Sequence, residues 1–148
     1  MNGIVNVLKP TGMTSHDVIS RLRKITSIKK IGHAGTLDPN ASGVLPVCIG
    51  KATRLSDYLM GYDKAYVFEL KLGLMTDTYD IYGKTITENT DLQPIEHDTV
   101  AAVIRSFQGE SWQIPPIYSA LKVEGKKLYE YARQDTAVDI KQRRINIR

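Results

Sequence analysis

Hydrophobic positions recur along the chain with two periods, and they divide it into elements. Residues 3–9 form a short β-branched run that stops at the turn signal Pro10-Thr11-Gly12. Thr14 and Ser15 then offer N-caps to a helix whose apolar face is Val18, Ile19, Leu22 and Ile25, spaced three and four apart. Residues 32–43 are dense in glycine and other breakers of regular structure and predict a loop, which an apolar strand follows over 44–49. A short helix carries Leu55, Tyr58 and Leu59 and ends at Gly61. From 65 to 72 the pattern alternates. Tyr66, Phe68, Leu70 and Leu72 face one way and Val67, Glu69 and Lys71 the other, which predicts a strand. An acidic, Tyr-containing loop at 73–83 leads to a return strand at 84–88. A helix is expected over 98–108 with Val100, Val103, Ile104 and Phe107 inward. Pro115-Pro116 breaks the chain before 117–123, another helix follows around 128–133, and 136–140 and 145–148 read as strands.

Strands and helices are mixed without the regular strand-helix-strand spacing of a parallel sheet. The expected fold is α+β, a mixed and largely antiparallel sheet with flanking helices. At 148 residues the chain has the length of one average domain, and it contains no repeat, low-complexity tract or linker. Its last residues, Arg144-Ile145-Asn146-Ile147-Arg148, are strand-like and read as a chain cut in mid-strand. No apolar run approaches the ~20 residues of a membrane span, and the N-terminus lacks a signal-peptide pattern. Cys48, the single cysteine, lies in the apolar run at 44–49 and reads as a buried free thiol. A cytoplasmic protein without membrane contact is expected.

Charge alters this picture only through its distribution. Twenty lysines and arginines against sixteen acids give +4, which permits a polyanionic partner without demanding one. Arg21, Arg23, Lys24, Lys29 and Lys30 crowd ten residues, and Lys141, Arg143, Arg144 and Arg148 crowd the end. Either cluster is a solvated face or a surface for phosphate.

Most templates for chemistry are excluded. Gly50-Lys51-Ala52-Thr53 lacks the first glycine of a phosphate loop, because Leu45 stands there, and Ala52 replaces its hydroxyl. Asp77, Asp80 and Gly83 lack calcium-loop spacing and the closing glutamate. Three scattered histidines and one cysteine make no zinc pattern, and no nucleophile elbow is present. No metal and no cofactor are expected. What remains is Gly32-His33-Ala34-Gly35-Thr36-Leu37-Asp38-Pro39, a carboxylate followed by proline in a loop flanked by Gly35 and Gly43. Taken alone, Asp38-Pro39 reads as a structural Asx turn.

The full string resembles the catalytic motif of pseudouridine synthases of the bacterial tRNA pseudouridine-55 synthase (TruB) family. The resemblance runs along nearly the whole chain. It includes Lys9-Pro10-Thr11-Gly12-Met13-Thr14-Ser15, the motif from Gly32 through Pro46, Lys64-Ala65-Tyr66 and Thr76-Asp77-Thr78-Tyr79-Asp80. It continues through Gln113-Ile114-Pro115-Pro116-Ile117-Tyr118-Ser119-Ala120-Leu121-Lys122 and Leu128-Tyr129-Glu130-Tyr131-Ala132-Arg133. Archaeal and eukaryotic guide-RNA-dependent relatives share the second motif. The proline pair, the Leu-Tyr-x-Tyr-Ala-Arg string and the absence of long basic tails favour the bacterial stand-alone enzymes.

The resemblance implies a pseudouridine synthase fold and the isomerisation of a T-loop uridine of tRNA, uridine 55 in tRNA numbering. The T stem-loop is the expected partner, and no obligate protein partner is expected. Residues 1–148 would be the N-terminal part of the catalytic domain, with the later motifs and any C-terminal RNA-binding domain absent. The truncated chain by itself is then expected to be inactive, and a fragment that grips the T arm without turnover is the rival reading.

Asp38 matches the family's nucleophile. An aspartate is ordinarily ionised at neutral pH and needs no base to activate it. Buried, it would need a cationic partner, and the family supplies an arginine from a later motif than any in this chain. Arg143, Arg144 and Arg148 do not match that context. Tyr66 matches a tyrosine that stacks on the flipped base, although its pattern alone favours core. His33 matches a histidine that occupies the space of the extruded uridine, whereas a lone loop histidine is ordinarily polar surface. Lys9 and Lys64 either contact phosphate or solubilise a turn. Asp80 either pairs with the later arginine or is an exposed loop acid. Arg21, Arg23 and Lys24, with Lys29 and Lys30 beyond them, are candidates for RNA backbone contacts.

Overall fold

Gly3–Lys9 (β1) pairs antiparallel with Gly43–Ile49 (β3), in a register that places Val7 opposite Leu45 and Lys9 opposite Gly43. Ile31–His33 (β2) lies on the other edge of β3, with His33 opposite Val47. The computed structural model describes residues 1–148. In β3 the alternation of side chains sends Leu45, Val47 and Ile49 to one face of the three-stranded sheet, and the helix Ser15–Thr26 (α1) covers that face with Val18 and Ile19. Ile31 completes this core, and Val7, Met13, Leu22, Ile28 and Leu37 pack around it. Cys48, on the opposite side of β3, is fully buried as a free thiol.

Capping sets where α1 begins. Thr14 accepts from the Asp17 backbone N–H at 3.1 Å, and the Asp17 carboxylate accepts in return from the Thr14 backbone N–H at 2.8 Å and hydroxyl at 2.7 Å. These Thr14 hydrogen bonds hold the Asp17 carboxyl below the usual carboxylate range. At the other end Ser27 adopts φ 58°, the left-handed C-cap position, and turns Ile28 back onto the core. Ile25, expected on the apolar face, is 78% exposed, and Ile28 packs against the core where Ile25 was expected to.

After β3 come a 3-10 turn, Gly50–Leu55, and the short helix Ser56–Met60 (α2), which ends at Gly61 as expected. The next expectation fails. Residues 65–72 join no ladder, and Tyr66, Val67, Phe68, Leu70 and Leu72 are all exposed. Alternation specifies a surface ready for a half-buried strand but not its partner, and here these residues pair with none.

The remaining strands form separate antiparallel pairs. Leu74–Thr76 (β4), inside the stretch read as loop, pairs with Thr85–Glu88 (β5). Gly109–Gln113 (β6), not foreseen as a strand, pairs with Arg143–Ile147 (β9), while 136–140 forms none. Lys122–Val123 (β7) and Lys126–Lys127 (β8) make a small hairpin before Leu128–Arg133 (α4). The helix His97–Ser106 (α3) forms where expected but buries none of its residues, and Val103, Ile104 and Phe107 are each more than half exposed. Two-stranded ladders offer too little surface to cover an amphipathic helix. The fold is α+β with antiparallel sheets, as expected, although as four small sheets rather than one. Contacts group the chain into two compact units, Met1–Phe68 and Glu69–Arg148. No helix is long and apolar enough to cross a membrane.

Candidate active site

The loop 34–42 between β2 and β3 carries Asp38, and the residues on either side of it are pinned. Leu37 sends its side chain to the core of the first unit. Its backbone N–H donates to the Ser15 hydroxyl at 3.0 Å, and its carbonyl accepts from the same hydroxyl at 3.2 Å. The Pro39 carbonyl accepts from the Gly12 N–H at 2.8 Å and from the Lys9 ammonium at 3.3 Å. Between these two fixed residues Asp38 is exposed, and its carboxylate makes no hydrogen bond or ion pair. Its carbonyl accepts from the Ala41 N–H at 3.0 Å, closing the turn that carries Pro39. The carboxylate is thus solvated rather than buried, and it requires no cation to remain folded in this position.

Lys9 corrects an expectation. Its side chain is completely buried, and its ammonium donates to the carbonyls of Pro10 at 2.9 Å and Met13 at 2.8 Å as well as to Pro39. All three donors are spent on backbone, so Lys9 neither contacts phosphate nor solubilises a turn. It ties the turn after β1 to the residue after Asp38.

His33 ends β2 at the entrance to the same loop, and its Nδ1 is hydrogen-bonded to the Gly35 carbonyl. A carbonyl can only accept, so Nδ1 is the donor in that bond. Tyr66 is 69% exposed, which removes the core reading suggested by its pattern. Lys64 donates to the carbonyls of Met60 at 2.6 Å and Tyr62 at 2.8 Å, capping the end of α2. Asp80 is an exposed loop acid, as one of its two readings has it, and its carboxylate is engaged locally. Its Oδ1 accepts from the backbone N–H of Tyr82 at 2.9 Å and of Gly83 at 3.1 Å and from the Thr78 hydroxyl at 2.8 Å, an Asx turn within the second unit. Arg143 donates to the Gln113 side chain and Arg144 pairs with Glu110, so both arginines clamp the β6–β9 ladder.

The basic residues of α1 differ among themselves. Arg21 and Lys24 are exposed, as are Lys29 and Lys30 beyond the helix. Arg23 is turned inward and donates to the Ile31 carbonyl at 2.9 Å, so it locks α1 to β2 rather than standing free for a phosphate. Charge also divides unequally. The unit Met1–Phe68 carries nine lysines and arginines against four acids, net +5, and Glu69–Arg148 carries eleven against twelve, net −1.

Two open clefts, of about 290 Å³ beside Trp112 and Arg144 and about 270 Å³ beside Met75 and Thr87, contain none of the expected site residues. No group of three or more His, Cys, Asp or Glu side chains is arranged to hold a metal ion. Sequence reasoning missed Ser15, taken only as a helix cap, and Leu37. The signal was available in part, since a serine following a threonine N-cap is left with a hydroxyl to spend elsewhere.

Fold and loop together define a class first: an α+β chain that holds a lone aspartate on a loop pinned at both sides. The family follows from comparison. Residues 23–148 match the TruB family pseudouridylate synthase (N terminal domain), and the chain belongs to that family. It is 56% identical over 140 residues to the tRNA pseudouridine synthase B of Caldanaerobacter subterraneus subsp. tengcongensis, covering 95% of this chain and 49% of that relative. The corresponding protein of Clostridioides difficile is 50% identical, over 100% of this chain and 50% of its own length. The chain therefore spans about half the length of the curated relatives it matches. Among solved structures, one described as a Cbf5-Nop10-Gar1 complex superposes with a TM-score of 0.59 at 28% identity, over 97% of this chain and 33% of that one. Identity to these two tRNA pseudouridine synthases B is higher than to that solved structure.

Proposed function

We propose that this chain carries the nucleophile-bearing part of an enzyme that isomerises uridine to pseudouridine in the T loop of tRNA. The observation that carries the reading is Asp38, an unpaired carboxylate standing between two residues whose backbones are fixed by Ser15, Gly12 and Lys9. A nucleophile so held loses little freedom on meeting its target. The carboxylate adds to the sugar at C1′ or to the pyrimidine ring, the N1–C1′ bond breaks and the base turns; C5 then bonds to C1′ in place of N1, the bond to Asp38 breaks to release the carboxylate, and N1 takes up a proton. The proton on C5 then leaves. The uridine must first leave its stack, and the roles assigned are His33 in the vacated space and Tyr66, exposed and free to stack, against the flipped base. Tritium release from a T-arm stem-loop labelled at C5 tests this, with the chain assayed as it stands and joined to the second half of a relative. Isomerisation at the T-loop uridine is the expected result in the joined form. RNA binding without tritium release in either form would overturn the enzyme reading in favour of a binding module.

The phosphate backbone is assigned to the first unit, whose net charge is +5. Replacing Arg21, Lys24, Lys29 and Lys30 by glutamine should weaken T-arm binding and flatten its dependence on salt. The slope of log affinity against log salt should fall by about 0.7–0.9 for each phosphate no longer neutralised. Arg23→Gln should instead loosen the packing of α1 on β2 and lower the melting temperature. An unchanged slope in the four-residue variant would make these side chains a solvated face only.

A further inference from the structure

The geometry points to Ser15 as a positioning residue for Asp38, an inference that rests on the reading of Asp38 as nucleophile. Ser15 is the first residue of α1 and is only 3% exposed. Capping does not occupy it, because Thr14 makes the reciprocal hydrogen bonds with Asp17. Its hydroxyl meets one residue twice, accepting from the Leu37 N–H at 3.0 Å and lying 3.2 Å from the Leu37 carbonyl, to which it donates. A single side-chain oxygen thereby satisfies both backbone groups of Leu37, as a neighbouring strand would. The loop has no strand neighbour there, since β2 ends at His33 and β3 begins at Gly43.

The consequence falls on the next residue. With Leu37 fixed at its N–H, its carbonyl and its side chain, the peptide plane leading into Asp38 has one orientation. Lys9 and Gly12 then fix the carbonyl of Pro39 on the far side. Removing the Ser15 hydroxyl frees the near side alone. The core beneath stays intact, because Leu37 keeps its side chain packed against it. The expected defect is therefore in aim rather than in folding or RNA binding.

Three variants test this: Ser15→Ala, which removes the hydroxyl, Ser15→Thr, which keeps it, and Ser15→Cys, which keeps the volume but donates only weakly. Hydrogen exchange on the 148-residue chain reads the clamp directly and independently of activity. Ser15→Ala should speed exchange of the Leu37 amide by about tenfold, while amides of β1, β3 and α1 stay protected. Ser15→Thr should restore protection, and Ser15→Cys should resemble alanine. If the added methyl of threonine unfolds the chain, the cysteine variant alone decides. In the form that turns over T-arm RNA, Ser15→Ala should slow the single-turnover step by about tenfold to a hundredfold with the RNA Kd unchanged. Unchanged Leu37 exchange in both Ser15→Ala and Ser15→Cys would overturn the clamp. Equal slowing in the alanine and threonine variants, or a weakened Kd in place of a slowed step, would overturn the positioning role. Neither result bears on whether Asp38 is the nucleophile, which Asp38→Asn tests separately.

Discussion

Asp38→Asn should abolish isomerisation, by about 10⁴-fold or more, while T-arm affinity stays within a few-fold of the parent. The two outcomes separate because the role proposed for the side chain is chemical, and the structure gives that side chain no other partner. Its carboxylate makes no hydrogen bond or ion pair, so an amide of the same shape disturbs no partner. Fixation of the loop depends on Leu37 and Pro39, whose contacts run through backbone atoms and are indifferent to the side chain between them. Phosphate contacts dominate RNA affinity, and the exposed cations of α1 and the segment after it are untouched by the substitution. Melting temperature and T-arm Kd should accordingly match the parent while tritium release ceases. Substantial residual turnover, with the asparagine verified by mass spectrometry against deamidation, would remove Asp38 from its role.

How far the sequence foretold this arrangement differs between the two units. In the first, local signals and tertiary partners agree. The β-branched run 3–9 finds β3, the capping residues start α1 where expected, and Val18 and Ile19 meet Leu45 and Val47 across the sheet. In the second, the same kind of signal meets no partner. The helix α3 forms from its periodicity yet leaves Val103, Ile104 and Phe107 exposed, and the segment 65–72, which straddles the boundary of the two units, alternates as a strand yet pairs with nothing. Periodicity states which face an element would bury; whether a surface exists to receive it depends on residues far along the chain.

The site shows a related division. Asp38 and His33 could be singled out as candidates because their motif is contiguous. Lys9 and Ser15 were misread because their partners are backbone atoms, which no side-chain pattern announces, and because Pro39 and Leu37 lie thirty and twenty-two residues away from them. Asp80 is the opposite case: all its partners lie within four residues, and an Asx turn was the local reading to prefer.

Lys9→Met should be the most destabilising of these substitutions, lowering unfolding free energy by about 2–5 kcal/mol. The side chain is wholly enclosed, and its ammonium has no carboxylate partner, so its stability rests on the three carbonyls of Pro10, Met13 and Pro39. Methionine keeps much of the volume and removes the charge, which offsets part of the loss. It cannot donate. The Pro39 carbonyl retains the Gly12 N–H at 2.8 Å, but those of Pro10 and Met13 lose the only hydrogen-bond donor the structure gives them. Two partly buried acceptors without partners cost about 1–3 kcal/mol each, which sets the range. The loss should be felt at neutral pH and in high salt alike, because a buried ammonium on backbone carbonyls is not screened as a surface ion pair is. Urea unfolding followed by circular dichroism measures it, with Lys64→Met as the control. Lys64 also donates to two carbonyls, at 2.6 and 2.8 Å, but from an exposed position where water replaces the lost donor. The control should lose well under half as much. Equal losses in the two variants would mean that burial of Lys9 adds nothing to its hydrogen bonds, and that the turn after β1 is held to the Asp38 loop by Gly12 and Ser15 alone.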